Sequence, residues 1–265
     1  MTDKLQKAIH GVKCFLLDLD GTVYLDGELI GDMANTLKAI RDSGRRIVYL
    51  TNNSSRSRDA YIKRLTDIGV YGDTDTVFTS GVSTVSYLNR NCKGARVYLM
   101  GTEALKREFL TGGINLVEEE PDVVVVSYDT EINYEKITKV THFLSKGAKY
   151  ITTHGDMLCP AKINYLPDVG TYHIMFEKAT GRLPEVNCGK PNEVMGEAIM
   201  DLLGLKPHEI VMCGDRLSTD IAFGVNNEFW SLLVFSGETD AETYKNSEVK
   251  ASFTLDDLNC IREYL

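Results

Sequence analysis

Tryptophan occurs once in the 265 residues, proline six times and histidine five times. The five histidines have no metal-ligand spacing, so a zinc site is not indicated. The six cysteines, Cys14, Cys92, Cys159, Cys188, Cys213 and Cys260, contain no CxxC pair and no disulfide-framework spacing. Cys14 and Cys213 lie in apolar runs and read as buried thiols, which suits a reduced cytoplasm. Long apolar stretches are absent: a run such as Val123 to Val126 is far too short to cross a bilayer, and no membrane partner is expected. Met1 to Lys13 has scattered charges and no apolar centre, unlike a secretory signal. Positive charge is also scarce, with 29 Lys and Arg against 38 Asp and Glu and a formal net charge of −9. Such a surface repels phosphate backbones and argues against nucleic-acid binding. No GxGxxG follows a strand, which disfavours a dinucleotide site.

What is present is the material of a folded enzyme-sized chain. Hydrophobic residues make up 43% and charged residues 25%, enough for a sizeable core in one large domain or two modest ones. Short apolar runs alternate with helix-period segments, the pattern of an α/β protein with a parallel sheet. Cys14 to Leu17, Ile47 to Leu50 and Ile210 to Cys213 read as strands buried on both faces. Met33, Leu37 and Ile40 mark a helix stopped by Gly44; Tyr61, Leu65 and Ile68 mark another, with Ser57 as N-cap and Gly69 as its end. Pro191 is expected as the first residue of a helix carrying Val194, Met195, Ala198, Ile199, Leu202 and Leu203. The middle of the chain has its own α/β series: strands at Val97 to Met100, Val123 to Val126 and Tyr150 to Thr153, a helix capped by Thr102, and a helix from Tyr134 to Ser145. With no repeat and no Gly/Ser linker, this part reads as a compact insertion with edges near 83 and 182.

Three of the strands end in polar residues. The first runs into Asp18-Leu19-Asp20-Gly21-Thr22; residues two apart in an extended segment point the same way, so Asp18 and Asp20 can face one pocket. The second ends in Thr51-Asn52-Asn53-Ser54, whose small polar groups and free N–H donors before a helix suit an anion. The third ends in Cys213-Gly214-Asp215-Arg216, followed by Ser218-Thr219-Asp220. Lys190 stands before the Pro191 helix. Taken singly each has an ordinary reading: a DxD in a loop, a turn, Asp220 as a helix N-cap, a solvated lysine. Their coincidence at strand ends, where parallel sheets bind ligands, points to a site.

In this order, Asp-x-Asp-Gly-Thr, Thr-Asn-Asn-Ser, Lys-Pro and Gly-Asp-Arg-x-x-Thr-Asp resemble the haloacid-dehalogenase superfamily of phosphatases, and within it class IIA, which includes p-nitrophenyl phosphatases and nucleotide phosphatases. Ala179-Thr180-Gly181-Arg182-Leu183-Pro184 leading to Gly189-Lys190-Pro191 matches the same class, and the resemblance covers nearly the whole chain. It implies a doubly wound, parallel-sheet Rossmann-like core from 1–82 and 183–265, with an α/β cap of the C2 type at 83–182. It implies a Mg²⁺-dependent phosphatase for small phosphate monoesters, in which Asp18 forms an aspartyl phosphate and Asp20 is the general acid and base, a role that some burial would assist. Asp18, the backbone carbonyl of Asp20 and Asp215 are the implied metal ligands; Thr51, Asn52 and Lys190 hold phosphate, and Asp220 orients a metal-bound water or a neighbouring cation. Val23 to Ile30 is expected to form a small flap. Related enzymes often pair through their caps, so the resemblance leaves a homodimer through the cap open. The chain departs from the class at Thr153-His154-Gly155-Asp156, commonly Thr-Asn-Pro-Asp, and at Pro167-Asp168-Val169-Gly170, commonly Pro-Gly-x-Gly. Both lie in the expected substrate-facing part of the cap, so sugar phosphates, nucleoside monophosphates and other small organic phosphates all remain open. His154, Tyr165 and His173 fall in the same stretch. The alternatives are a non-catalytic phosphate-responsive switch, or a transferase or dehalogenase of the same superfamily. Asp20 argues against the dehalogenase, because a halide leaving group needs no proton.

Overall fold

The structure, a computed structural model, describes residues 2–25, 27–159 and 165–265. The chain divides into two compact units: Met1–Thr51, Ile62–Phe78 and Lys190–Leu265 form one, and Asn52–Tyr61 with Thr79–Gly189 the other. The first is built on a six-stranded sheet in the order Phe253–Leu255, Trp230–Val234, Ile210–Gly214, Cys14–Leu17, Arg46–Thr51, Thr76–Thr79. The chain winds outward from Cys14–Leu17 in one direction, then starts again at Ile210–Gly214 and winds outward in the other. Each of these two strands pairs parallel with its neighbours. The point where the winding reverses lies between them, and in open α/β sheets ligands bind beyond the carboxyl ends at such a point.

Hydrophobicity explains why these strands sit in the middle. Cys14, Phe15, Leu16 and Leu17 are all buried, as are Ile210, Val211, Met212 and Cys213. Runs without polar alternation have no face to offer to water and are covered on both sides. Register then sets the site. Leu17 lies level with Cys213 on one side and Tyr49 on the other, so Asp18 and Gly214 leave the sheet at the same height. The helix Met33–Asp42 buries Met33, Leu37 and Ile40 as the spacing requires, and Gly44 beyond it has φ +81°. After the Lys190–Pro191 peptide the helix starts at Glu193, with Asn192 in the N-cap position, and not at Pro191. Tyr24–Leu25 and Glu28–Leu29 pair antiparallel as a two-stranded hairpin within the expected flap.

The second unit has a five-stranded parallel sheet in the order Val186–Asn187, Lys149–Thr152, Val123–Val126, Arg96–Met100, Asn115–Leu116. Besides Asn52–Tyr61, this unit takes in Thr79–Gly189, a longer stretch than the 83–182 expected from the sequence. The reason is pairing: Val186–Asn187 hydrogen-bonds to Lys149–Thr152, so the chain stays in this unit past residue 182. Its core gathers Tyr98, Met100, Val124, Val126, Phe143 and Tyr150, with Val169 and Phe176 from the helix Val169–Thr180. Thr102 caps the helix Glu103–Thr111 by accepting the Leu105 N–H at 3.2 Å. Among the described residues, no helix is long and apolar enough to cross a membrane.

Phe15 is 0% exposed at the centre of the first sheet. Phe15→Ala is expected to cost about 3–5 kcal/mol of stability in urea unfolding, the usual cost of an aromatic-sized cavity. A loss below about 1 kcal/mol would mean that Cys14–Leu17 is not the packed centre of this sheet.

Candidate active site

Asp18 follows the strand Cys14–Leu17 directly, its N–H donating to the Cys213 carbonyl at 3.0 Å. The chain then turns sharply. Gly21 has φ +88°, and its N–H donates to the Tyr24 carbonyl at 2.8 Å. A Cβ on Gly21 would lie 2.4 Å from Asp215 Oδ2, so only glycine lets the loop after one strand approach the carboxylate beyond the other.

Lys190 occupies the centre of this arrangement. Its ammonium donates to Asp18 Oδ1 and to Asp220 Oδ1, both at 2.6 Å. The Lys190 side chain is 3% exposed and that of Asp220 0%, whereas Asp18 keeps 15% of its surface open. Of these three, Asp18 is the one that a molecule in solution can reach. Burial works against the charge on Lys190, but Asp18 and Asp220 more than offset it and hold the ammonium pKa above its ordinary value. Asp220 accepts a further bond from the Arg216 N–H at 3.1 Å. Its carboxylate thus serves the lysine and the preceding turn; it does not cap the helix that follows.

Asp18, Asp215 and Asp220 bring carboxylate oxygens within 4.8 Å of one another. Burial, then the charge of Asp220, pushes the Asp18 carboxyl well above the usual range, with Lys190 pulling the other way. Asp215 is raised to about 6, mainly by burial and secondly by Asp220. Three carboxylates against one ammonium leave an excess of negative charge that a proton or a cation must neutralise. Asp215 Oδ2 accepts the Glu238 N–H at 2.7 Å, but its Oδ1 is buried with no hydrogen-bond partner. A buried carboxylate oxygen without a donor, beside two other carboxylates, fits a hard metal ion. This acidic group can hold a divalent metal.

The structure thus brings together Asp18, Lys190, Asp215 and Asp220. Thr51 ends the strand next to Asp18 and is buried. Asn52, the next residue, belongs to the second unit, where its amide donates to both carboxylate oxygens of Asp156 at 3.2 Å. Asp20 is exposed, so the burial expected to assist a proton-transferring group is not found there. In the second unit His154 is buried between Asp168 and Thr153, at 3.0 Å from each. Asp168 also caps the helix Val169–Thr180. His173 bonds Thr152 Oγ1 at 2.8 Å, and burial lowers its pKa to about 4. Both histidines therefore have structural partners. Tyr165 is 61% exposed.

A family model described as haloacid dehalogenase-like hydrolase matches residues 15–115, and a second, described as HAD-hydrolase-like, matches residues 187–261. The chain is 32% identical to a 5'-nucleotidase of Bacillus subtilis over 93% of its own length and 96% of that protein. The chain belongs to the haloacid dehalogenase-like hydrolases. It is similar, too, to an acid sugar phosphatase of Staphylococcus saprophyticus, 31% identical over 93% of this chain and 95% of the relative. The 4-nitrophenylphosphatase of Thermotoga maritima superimposes with a TM-score of 0.93 at 36% identity, covering 97% of this chain and 98% of that one.

One part of this hydrolase site carries no motif in the sequence. Ser236, Gly237 and Glu238 follow the strand Trp230–Val234 and touch Gly21 and Asp215. The only available signal was a small-polar-glycine step at the end of an apolar run.

Lys190→Met removes the ammonium from between the partly open Asp18 and the buried Asp220. In metal-free buffer at pH 7 the loss is expected to be about 3–5 kcal/mol. Carboxyls whose folded pKa is raised are most favourable to folding when protonated, so the deficit should shrink as the pH falls from 7 towards 5. Urea midpoints at the two pH values measure this; a midpoint unchanged at pH 7 would contradict a charge balance that depends on Lys190.

Proposed function

We propose that this hydrolase cleaves small phosphate monoesters through an aspartyl phosphate on Asp18, with Mg²⁺ as its metal. The observation that carries the reading is that Asp18 is the solvent-reachable carboxylate of the buried group, held at 2.6 Å by Lys190 where the sheet reverses. A phosphoric monoester hydrolase accords with the relatives, whose names specify a sugar phosphatase, a nucleotidase and a nitrophenyl phosphatase. Compounds of those three kinds share a small organic group on a phosphate, and that is the substrate class proposed.

An Asp18 oxygen attacks phosphorus in line with the ester oxygen. The P–O bond to the leaving group breaks as Asp20 delivers a proton to the departing oxygen. Asp20, now a carboxylate, takes a proton from the water that attacks the aspartyl phosphate; inorganic phosphate leaves and Asp18 is restored. Lys190 holds its positive charge at Asp18 throughout, against the charge of the transferring group. Asp220 keeps the ammonium aimed, and Thr51 ends the adjacent strand at the place proposed for the phosphate. Asp18, Asp215 and the carbonyl of Asp20 are the residues that would hold the metal. Once bound, a divalent ion keeps these carboxyls ionised and offsets phosphate charge. Such help is needed, since phosphate monoester hydrolysis can require enhancements of up to about 10²¹-fold.

Release of inorganic phosphate from p-nitrophenyl phosphate and a panel of sugar phosphates and nucleoside monophosphates tests the proposal. Asp18→Asn should abolish turnover with the fold intact, and Asp20→Asn should slow it by about 10²- to 10⁴-fold. Chelation should stop the reaction and added Mg²⁺ restore it. Turnover by Asp18→Asn, or in excess chelator, would refute the corresponding role.

A further inference from the structure

The loop at 235–239 has no expected chemical role, yet it is bonded to both carboxylate-bearing loops of the first unit. Ser236 Oγ donates to the Gly21 carbonyl at 2.7 Å. Two residues on, the Glu238 N–H donates to Asp215 Oδ2 at 2.7 Å, and the Thr239 N–H donates to the Asp215 carbonyl at 3.3 Å. The Glu238 carboxylate pairs with Arg216 Nε at 3.0 Å. Between these contacts sits Gly237, where a Cβ would fall 2.0 Å from Asp215 Oδ2. The loop passes too close to Asp215 for any side chain at that position.

We propose that Ser236 is a positioning residue for turnover: its bond to the Gly21 carbonyl, in a loop that also grips Asp215, fixes the spacing between the Asp18–Gly21 turn and Asp215. Gly21 is the point at which that spacing could slip. A glycine at φ +88° has little torsional preference of its own, so its two flanking peptides stay in place only if something outside holds them. The peptide before Gly21, which carries the Asp20 carbonyl, is held by the bond from Gly21 N–H to Tyr24. The peptide after it is held at its carbonyl by Ser236 at 2.7 Å and at its N–H by a longer bond from Thr22 to the Leu19 carbonyl at 3.4 Å. Without Ser236 the second peptide keeps only the long Thr22 bond, which loosens ψ of Gly21 and the turn that carries Asp20. Misplacement by a fraction of an ångström is costly where catalysis rests on position. Ser236 touches no reacting atom in this scheme; it acts through Gly21.

The inference rests on the roles proposed for Asp18 and Asp20, so its test includes Asp18→Asn in the same assay. With p-nitrophenyl phosphate and saturating Mg²⁺, Ser236→Ala should lower kcat about tenfold, the worth of one directed hydrogen bond. KM and the melting temperature should be unchanged. Ser236→Thr, which keeps the hydroxyl, should restore kcat to within about twofold of the parent. A parent-like kcat in Ser236→Ala, alongside an inactive Asp18→Asn, would overturn the positioning role and leave the function standing. A kcat loss that follows a fall in melting temperature, and that Ser236→Thr does not repair, would make Ser236 a purely structural residue and would also overturn it. An active Asp18→Asn would instead remove the function on which the inference is built.

Discussion

A lysine ammonium held between two carboxylates, with almost no water around it, is the constraint on which the rest of the site depends. Lys190 reaches both Asp18 and Asp220 at 2.6 Å, and those residues come from opposite ends of the sequence. Such a pair and its extra partner can form only where the two halves of the winding meet. The parallel register of Cys14–Leu17 with Ile210–Gly214 provides that meeting place. Burial works against the charge on Lys190, and the two carboxylates beside it more than offset that cost. Asp215 beside them has its pKa raised to about 6 and one oxygen without a donor, a deficit that a divalent cation would supply.

The division of the chain bears on the same residues. It first passes from the first unit to the second between Thr51 and Asn52, comes back for Ile62–Phe78, and makes its last return between Gly189 and Lys190. Two of the residues proposed to meet phosphate, Thr51 and Lys190, therefore stand at the points where the first unit's chain leaves and returns. Asn52, one step beyond, is tied by its side chain to Asp156 and by its carbonyl to the Ser80 hydroxyl at 2.5 Å, both inside the second unit. The sequence departures at Thr153-His154-Gly155-Asp156 fall in this network too. Thr153 bonds both Ser54 and His154 at 3.0 Å, and His154 bonds Asp168. Within this unit these residues bond one another and tie down the 52–55 segment.

Where the physics is local or strongly patterned, the sequence was legible. The strand Cys14–Leu17 and the helix Tyr134–Ser145 fall where expected, and so does the Thr102 cap, because all-apolar runs and side-chain caps leave direct marks. The acidic residues at the strand ends were legible for the same reason. The start of the 193–203 helix was not, since proline alone does not say whether it is inside the helix or just before it. The helix Val169–Thr180 left little trace, being rich in β-branched and aromatic residues that gain their helical state from packing Val169 and Phe176 into a core. Ser236 to Glu238 were invisible for another reason. Two of their three contacts with the site go through backbone atoms or the absence of a side chain, and residue type does not encode either. Asp20 shows the limit most plainly: its spacing from Asp18 identified it, but spacing could not show that it is exposed.

Phosphorylation of Asp18 itself is the central claim. Acid quenching of the enzyme during steady turnover of p-nitrophenyl phosphate, followed by peptide mass spectrometry, tests it directly. The proposed mechanism predicts a phosphoryl group on the carboxylate of Asp18, labile to hydroxylamine and lost when substrate is omitted. A turning-over enzyme that carries no phosphoryl group, or carries it on a different residue, would contradict it.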